Sequence, residues 1–231
     1  MCGRYTLASP NPSEVRTRFA IGESVDVRRR FNVAPGDEVL AVTTDREGAR
    51  RGDVLRWGLV PSWAKSPDTG LKMINARVET VAQRPAYQRA FARYRCLIVA
   101  DGFYEWQAVP GGPKQPFHIT RDDGAPFAFA GLWSIWYAPD GRTLRTCTIL
   151  TTAANAAIAS LHDRMPVILT PDAEAAWIDA GTPRADLFAL LAGLPAARTA
   201  LRPVGTAVND ARYDGPECLA EPLESAQATL F

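Results

Sequence analysis

Residues 96–108, Cys96-Leu97-Ile98-Val99-Ala100-Asp101-Gly102-Phe103-Tyr104-Glu105-Trp106-Gln107-Ala108, decide the fold class. An apolar run, Cys96–Ala100, meets an Asp-Gly turn and gives way to a second run, Phe103–Ala108, in which aromatics flank a carboxylate. Short β-branched and aromatic runs of this kind fit a pleated, half-buried surface better than a helix. Outward from this stretch the same signal recurs at Glu38–Thr43, Val54–Trp57, Phe117–Thr120, Phe127–Leu132 and Arg145–Thr151. Pro110-Gly111-Gly112-Pro113, Asp122-Asp123-Gly124 and Pro139-Asp140-Gly141 imply hairpins between them, hence a largely antiparallel sheet or an open barrel. Helices are predicted at about 12–20, 80–93, 153–161, 171–179 and 184–192. Asn11-Pro12-Ser13-Glu14 supplies a cap, an early proline and an early acid for the first, and Thr170-Pro171 opens the fourth. The class is α+β, a single domain with short flanking helices.

The chain has 231 residues and 47% hydrophobic content, enough for one buried core and few for two. No apolar run reaches the roughly 18 residues that span a bilayer. MCGRYTLASP has neither the basic nor the apolar stretch of a signal peptide, so the expected place is the cytoplasm, with no membrane partner. Cys2, Cys96, Cys147 and Cys218 are too widely spaced for a CxxC site or a disulfide framework and are expected reduced. With His118 and His162 the only imidazoles, neither a metal nor another cofactor is expected. Residues 1–100 hold 17 basic and 10 acidic side chains, net +7, and residues 101–231 hold 9 and 15, net −6; Arg supplies 23 of the 26 basic residues. Arginine forks suit phosphate, but a genome that favours Arg codons would give the same counts, so charge alone leaves both explanations standing.

Cys2 organises the functional argument. An initiator methionine is normally removed when a small residue follows, and removal here would expose a 1,2-aminothiol. The amine titrates at about 8 and a thiol at about 8.5, so a useful fraction of each nucleophile is expected near neutrality. An aldehyde is its natural partner: the amine forms an imine, and the thiol closes a five-membered thiazolidine. The plain alternative is an incidental small residue in a frayed terminus.

Three segments bear on that choice. In Gly102-Phe103-Tyr104-Glu105-Trp106 a buried Glu105 would have a raised pKa and could move protons, whereas an outward Glu105 would be ordinary surface. In Leu161-His162-Asp163-Arg164-Met165-Pro166, His162 stands at or behind a helix end, as an acid–base group or as a packed residue. In Asn75-Ala76-Arg77-Val78-Glu79-Thr80, alternation puts Asn75, Arg77 and Glu79 on one side, either for a sugar and a phosphate or as an internal Arg77–Glu79 network.

These segments belong to a longer series. MCGRY, FNVAP, WGLVPSW, NARVET, RCLIVADGFYEW, FAGLW, TTAAN and HDRMP, in this order from residue 2 to about residue 170, with a weaker echo at Val208-Asn209, resemble the SOS-response-associated peptidase (SRAP) family. The resemblance implies a domain over residues 1–220 built on a curved antiparallel sheet, followed by a tail over 221–231. It implies a DNA damage response protein that acts as a monomer at the nucleoid and takes abasic sites in single-stranded DNA or at single-strand/double-strand junctions. Capture would be a thiazolidine DNA–protein crosslink through Cys2, with Asn75, Glu105 and His162 around it. Arg4, Arg77 and Arg164 would meet phosphates, and Trp63 and Thr151 would line the DNA path. Val99 departs from the family, where proline is common. In the expected chemistry His162 opens the sugar hemiacetal, Glu105 relays protons and Asn75 orients the sugar or the amine. β-Elimination from the imine, an abasic-site lyase reaction, would compete. Two rival functions are a cysteine autopeptidase that removes its own Met1 and a single-strand-binding module with an inert Cys2.

Overall fold

The computed structural model describes residues 2–8, 11–23 and 25–222. Its strands are β1 (Tyr5–Leu7), β2 (Arg30–Val33), β3 (Glu38–Thr44), β4 (Arg50–Trp57), β5 (Asn75–Arg77), β6 (Arg95–Ala100), β7 (Gly102–Gln107), β8 (Gln115–Arg121), β9 (Phe127–Tyr137), β10 (Thr143–Ala153), β11 (Arg164–Pro166), β12 (Ile168–Leu169) and β13 (Thr199–Pro203). The helices are α1 (Pro12–Phe19), α2 (Pro85–Arg93), α3 (Pro171–Ile178) and α4 (Arg184–Ala189).

One sheet runs β13-β8-β7-β1-β2, antiparallel throughout. In the other, β10-β4-β3-β6-β9 closes on itself because β9 also pairs with β10, from Thr143↔Tyr137 to Ile149↔Gly131. Closure leaves the ring without free edges and accounts for its barrel-like curvature. Strand alternation sorts the ring residues into two cores. Ala41, Leu55, Trp57, Cys96, Ile98, Phe129, Cys147 and Ile149 share one with Cys2 and with Tyr5 and Phe103 of the β13-β8-β7-β1-β2 sheet. Val42, Leu97, Val99, Ala130 and Leu150 face the other, where Phe19, Phe91, Trp177 and Leu187 of the helices cover them.

The helix signals at 12–20 and 171–179 correspond to α1 and α3, whose first turns are capped by Asn11 Oδ1 and Thr170 Oγ1. The one at 80–93 starts later, because Pro85 holds Arg84 extended (φ −74°, ψ 124°). At 153–161 no helix forms. The β10 ladder runs through Ala153↔Arg164, and Asn155 is held by the Leu194 carbonyl and the Thr199 hydroxyl, so the alanines make only turns. Asp122-Asp123-Gly124 is not a hairpin: β8 and β9 lie in different sheets, since a turn signal sets a reversal but not the partner strand. No helix among the described residues is long and apolar enough to cross a membrane. Of the tail expected over 221–231, residues 223–231 lie outside the described residues.

The opening stretch changes sheets at Asp101-Gly102, and a buried polar cluster fixes that corner. Asp101 Oδ2 accepts the Ala8 N–H at 2.8 Å, and Oδ1 accepts the Thr6 hydroxyl at 2.5 Å. That hydroxyl lies 3.0 Å from His118 Nε2. With its one proton on the carboxylate, Thr6 must accept from His118, so the ring is the Nε2–H tautomer. Any Cβ at position 102 would sit 2.2 Å from Nε2, which is why β7 begins with glycine. Burial, with Arg202 adding to it and Asp101 opposing, lowers His118 to about 4. The unfolded chain therefore takes up this proton first as pH falls from about 6.5 towards 4, and about 3 kcal/mol of stability, present above that window, is lost across it. Urea titrations at pH 7 and about pH 4.5 should differ by about 2 kcal/mol or more from this source, and His118→Gln should remove most of that difference.

Candidate active site at the amino-terminal strand

Cys2 is not part of a frayed end. It is fully buried just ahead of β1, its thiol donates to the Arg4 carbonyl at 3.6 Å, and its own carbonyl accepts from Asn75 Nδ2 at 2.8 Å. The Arg4 carbonyl also accepts the Tyr104 N–H at 3.0 Å. β1 pairs with β7 at Tyr5↔Phe103 and Thr6↔Gly102, and continuing that register brings Gly3 opposite Glu105. The strand pairing thus delivers Glu105 to Cys2, while β5, parallel to β10 at Ile149↔Asn75, delivers Asn75.

Glu105 faces inward and is 4% exposed. Burial raises its pKa, with His162 pulling the other way. Burial also pushes the Cys2 thiol far up, and the nearby Glu105 charge adds to the shift. This corrects the expectation of ready thiolate: near neutrality the thiol keeps its proton, and ring closure needs a group to move it. Glu105 thus feels charge from His162 on one side and acts on Cys2 on the other. His162 Nδ1 accepts the Arg164 N–H at 2.9 Å and lies 2.7 Å from Asp163 Oδ1. The first contact needs a bare Nδ1 and the second a proton on it, so the ring makes one or the other. Asn75 Oδ1 is buried with no hydrogen-bond partner among the described residues, which leaves an acceptor beside Cys2 for an amine or a sugar hydroxyl.

The other expected contacts divide. The Arg77 side chain is exposed and makes no hydrogen bond among the described residues, and Trp63 is 67% exposed. Trp63 borders a cavity of about 310 Å³ with Tyr94, Trp133 and Tyr137. Arg4 is partly buried, with Nη1 on Asn32 Oδ1 and the Val208 carbonyl. Two of the expected residues are held inside the protein. The Thr151 side chain is buried, and its carbonyl accepts from Arg164 Nη2 at 2.5 Å. Arg164, also buried, forks onto Glu79 at 2.7 and 3.0 Å and so braces the His162 turn. The network foreseen between Arg77 and Glu79 is instead Glu79–Arg164, because β5 ends at Arg77 and the chain turns there.

Sequence reading missed Thr6, Asp101 and His118 as a unit, and Asn32 as a site neighbour. Asp101 and Asn32 stood in quoted motifs, but only the pairing of β1 with β7 and β2 shows what they touch. No group of three or more His, Cys, Asp or Glu side chains that could hold a metal occurs among the described residues. All four cysteines are free and buried.

The chain resembles known proteins over nearly its whole length. It is 39% identical over 223 residues to abasic site processing protein YoqW of Bacillus subtilis, covering 95% of this chain and 99% of that one. It is 32% identical over 235 residues to abasic site processing protein YedK of Escherichia coli, covering 96% and 100%. With abasic site processing protein HMCES of Xenopus tropicalis it shares 35% over 265 residues, covering 95% and 78%. Among solved structures, a Bacteroides thetaiotaomicron protein superposes with a TM-score of 0.84 at 22% identity over 96% of this chain and all of that one, a likeness of fold. A phage-related protein of Bordetella bronchiseptica gives 0.71 at 31% identity, covering 88% and 94%. The sequence profile of the SOS response associated peptidase family matches residues 1–211, and with relatives of this identity and coverage the chain belongs to that family.

Proposed function

We propose that this protein processes abasic sites in single-stranded DNA by covalent capture through Cys2. The observation that carries the reading is the convergence of Asn75 and Glu105 on Cys2 from separate strands, in a family whose relatives bear the name abasic site processing protein. Removal of Met1 frees the α-amine. His162 assists opening of the sugar ring, and the amine then adds to the C1′ aldehyde and loses one water to give an imine. The Cys2 sulfur adds to the imine carbon while its proton passes, through Glu105, to the imine nitrogen, closing the thiazolidine. A carboxyl whose pKa burial raises suits that relay, since it is a stronger base than an exposed carboxylate. Loss of a C2′ proton from the imine would instead expel the 3′ phosphate, so lyase activity measures how often the thiol arrives late.

With no base to read at the lesion, affinity rests on phosphates and stacking. Arg77, exposed beside Asn75, meets a backbone phosphate, and Trp63 offers a face to a neighbouring base. Arg77→Gln should reduce the magnitude of the slope of log affinity against log salt by about 0.7, the share of one single-strand phosphate contact. An unchanged slope in fluorescence anisotropy titrations would remove Arg77 from the interface. Incubating the protein with uracil-containing single strands treated with a glycosylase, followed by denaturing electrophoresis, tests the whole reading: a slow band must appear only when the abasic site is present. The family's name keeps a second reading in view, in which Cys2 attacks the Met1 carbonyl. Intact mass of protein made without methionine aminopeptidase decides it, since self-cleavage alone would then remove Met1.

A further inference from the structure

FNVAP and Val208-Asn209 have no task in the chemistry above, and the fold brings them together at Arg4. Asn32, fully buried in β2, uses both ends of its amide. Oδ1 accepts from Arg4 Nη1 at 3.0 Å, and Nδ2 faces the carbonyls of Val208, Asp210 and Tyr213 at 3.2, 2.9 and 2.8 Å. Arg4 Nη1 itself donates to the Val208 carbonyl at 2.8 Å. Asp214 Oδ1 accepts the Phe31 and Asn32 N–H groups at 2.6 and 2.7 Å, which stitches the 208–214 segment to β2 a second time. Trp106, next to Glu105 in sequence, donates from Nε1 to Asn209 Oδ1 at 2.8 Å. Arg4 thus has one guanidinium nitrogen fixed to protein, while Nε and Nη2 make no hydrogen bond among the described residues, and the side chain is only partly buried. The Arg4 carbonyl accepts from the Cys2 thiol, so the open edge belongs to a residue in direct contact with the nucleophile.

A long arginine side chain that must be ordered on binding loses rotamer freedom at that moment; one already held by its neighbours does not. We propose that Asn32 is a positioning residue that locks Arg4 to the 208–213 turn, so that Arg4 presents its open guanidinium edge to a DNA phosphate beside Cys2. The proposal rests on the reading that DNA is captured at this site. Replacing Asn32 with Ala would leave the three carbonyls without their common donor and free Arg4 to swing.

The test measures salt-dependent binding of a single strand carrying a tetrahydrofuran abasic analogue, which has no aldehyde and reports non-covalent contact only. Arg4→Gln is expected to reduce the slope magnitude by about 0.7, as loss of one phosphate contact requires. Asn32→Ala should give a similar reduction, with the double variant no lower than either single one, and should slow crosslinking to aldehyde-bearing strands. A wild-type slope in Asn32→Ala beside a reduced one in Arg4→Gln would overturn the proposal, as would a wild-type slope in Arg4→Gln. If thermal melts show that Asn32→Ala does not fold, Asn32→Ser carries the same comparison, its shorter hydroxyl being unable to join Arg4 to the turn. A wild-type chain that binds the analogue with Arg4-dependent slope but never crosslinks would refute capture by Cys2 and leave the role of Asn32 standing.

Discussion

Chains with Cys2→Ala should form no adduct that survives denaturation, a loss of at least about 100-fold in crosslink yield if intramolecular ring closure carries its usual advantage. Alanine is small enough for Met1 still to be removed, so the amine remains and the imine still forms, but water reverses it. Binding of abasic strands should change little, because the phosphate contacts are untouched. The fold should survive as well: one sulfur leaves a packed cluster with Tyr5, Val33 and Phe103, a change of about 1 kcal/mol. Strand scission should persist through the amine. Borohydride, which reduces imines, should restore a stable band for Cys2→Ala, and a stable band without reductant would remove the thiol from the chemistry.

Glu105→Gln should slow crosslinking by about 10²- to 10⁴-fold, the range for loss of a positioned acid–base group. Glutamine keeps the shape and cannot relay the thiol proton, which burial and the Glu105 charge otherwise hold on sulfur. The wild-type rate should rise with pH as Glu105 ionises, above the ordinary carboxylate range because burial raises it, and this limb should vanish in the variant. Stability should move the opposite way. With its folded pKa raised, Glu105 holds a proton that the unfolded chain has already lost, so stability falls as pH rises through that interval. A neutral glutamine escapes that loss, and Glu105→Gln should be the more stable protein near neutrality. A variant with a wild-type rate profile would assign the proton transfer to His162 or to water.

The strand signals were local, and local signals survive: Cys96–Ala100 lies in β6, and Phe103–Ala108 lies in β7 up to Gln107. Closure of the ring was not legible, because it depends on β9 pairing with β10 and β6 at once, and no window of sequence carries a three-strand arrangement. The Ala-rich stretch at 153–161 misled for a related reason: helix propensity is weak beside a strand ladder already running through Ala153. Residue types pointed to Asn75, Glu105 and His162 because amide, carboxylate and imidazole are scarce in such apolar surroundings. Arg164 and Thr151 carried the same chemical promise, yet burial turned both inward, and alternation alone could not say which face of β10 and β11 would be covered.

The most direct measurement of the account is mass spectrometry of the adduct after nuclease and protease digestion, with iodoacetamide added before denaturation is reversed. The account predicts a peptide that begins at residue 2, carries the sugar remnant with loss of one water, and shows no alkylation at Cys2, because both its nitrogen and its sulfur are bound to the same carbon. An adduct on a peptide that still carries Met1, on a lysine, or on a Cys2 whose thiol remains alkylable would contradict it.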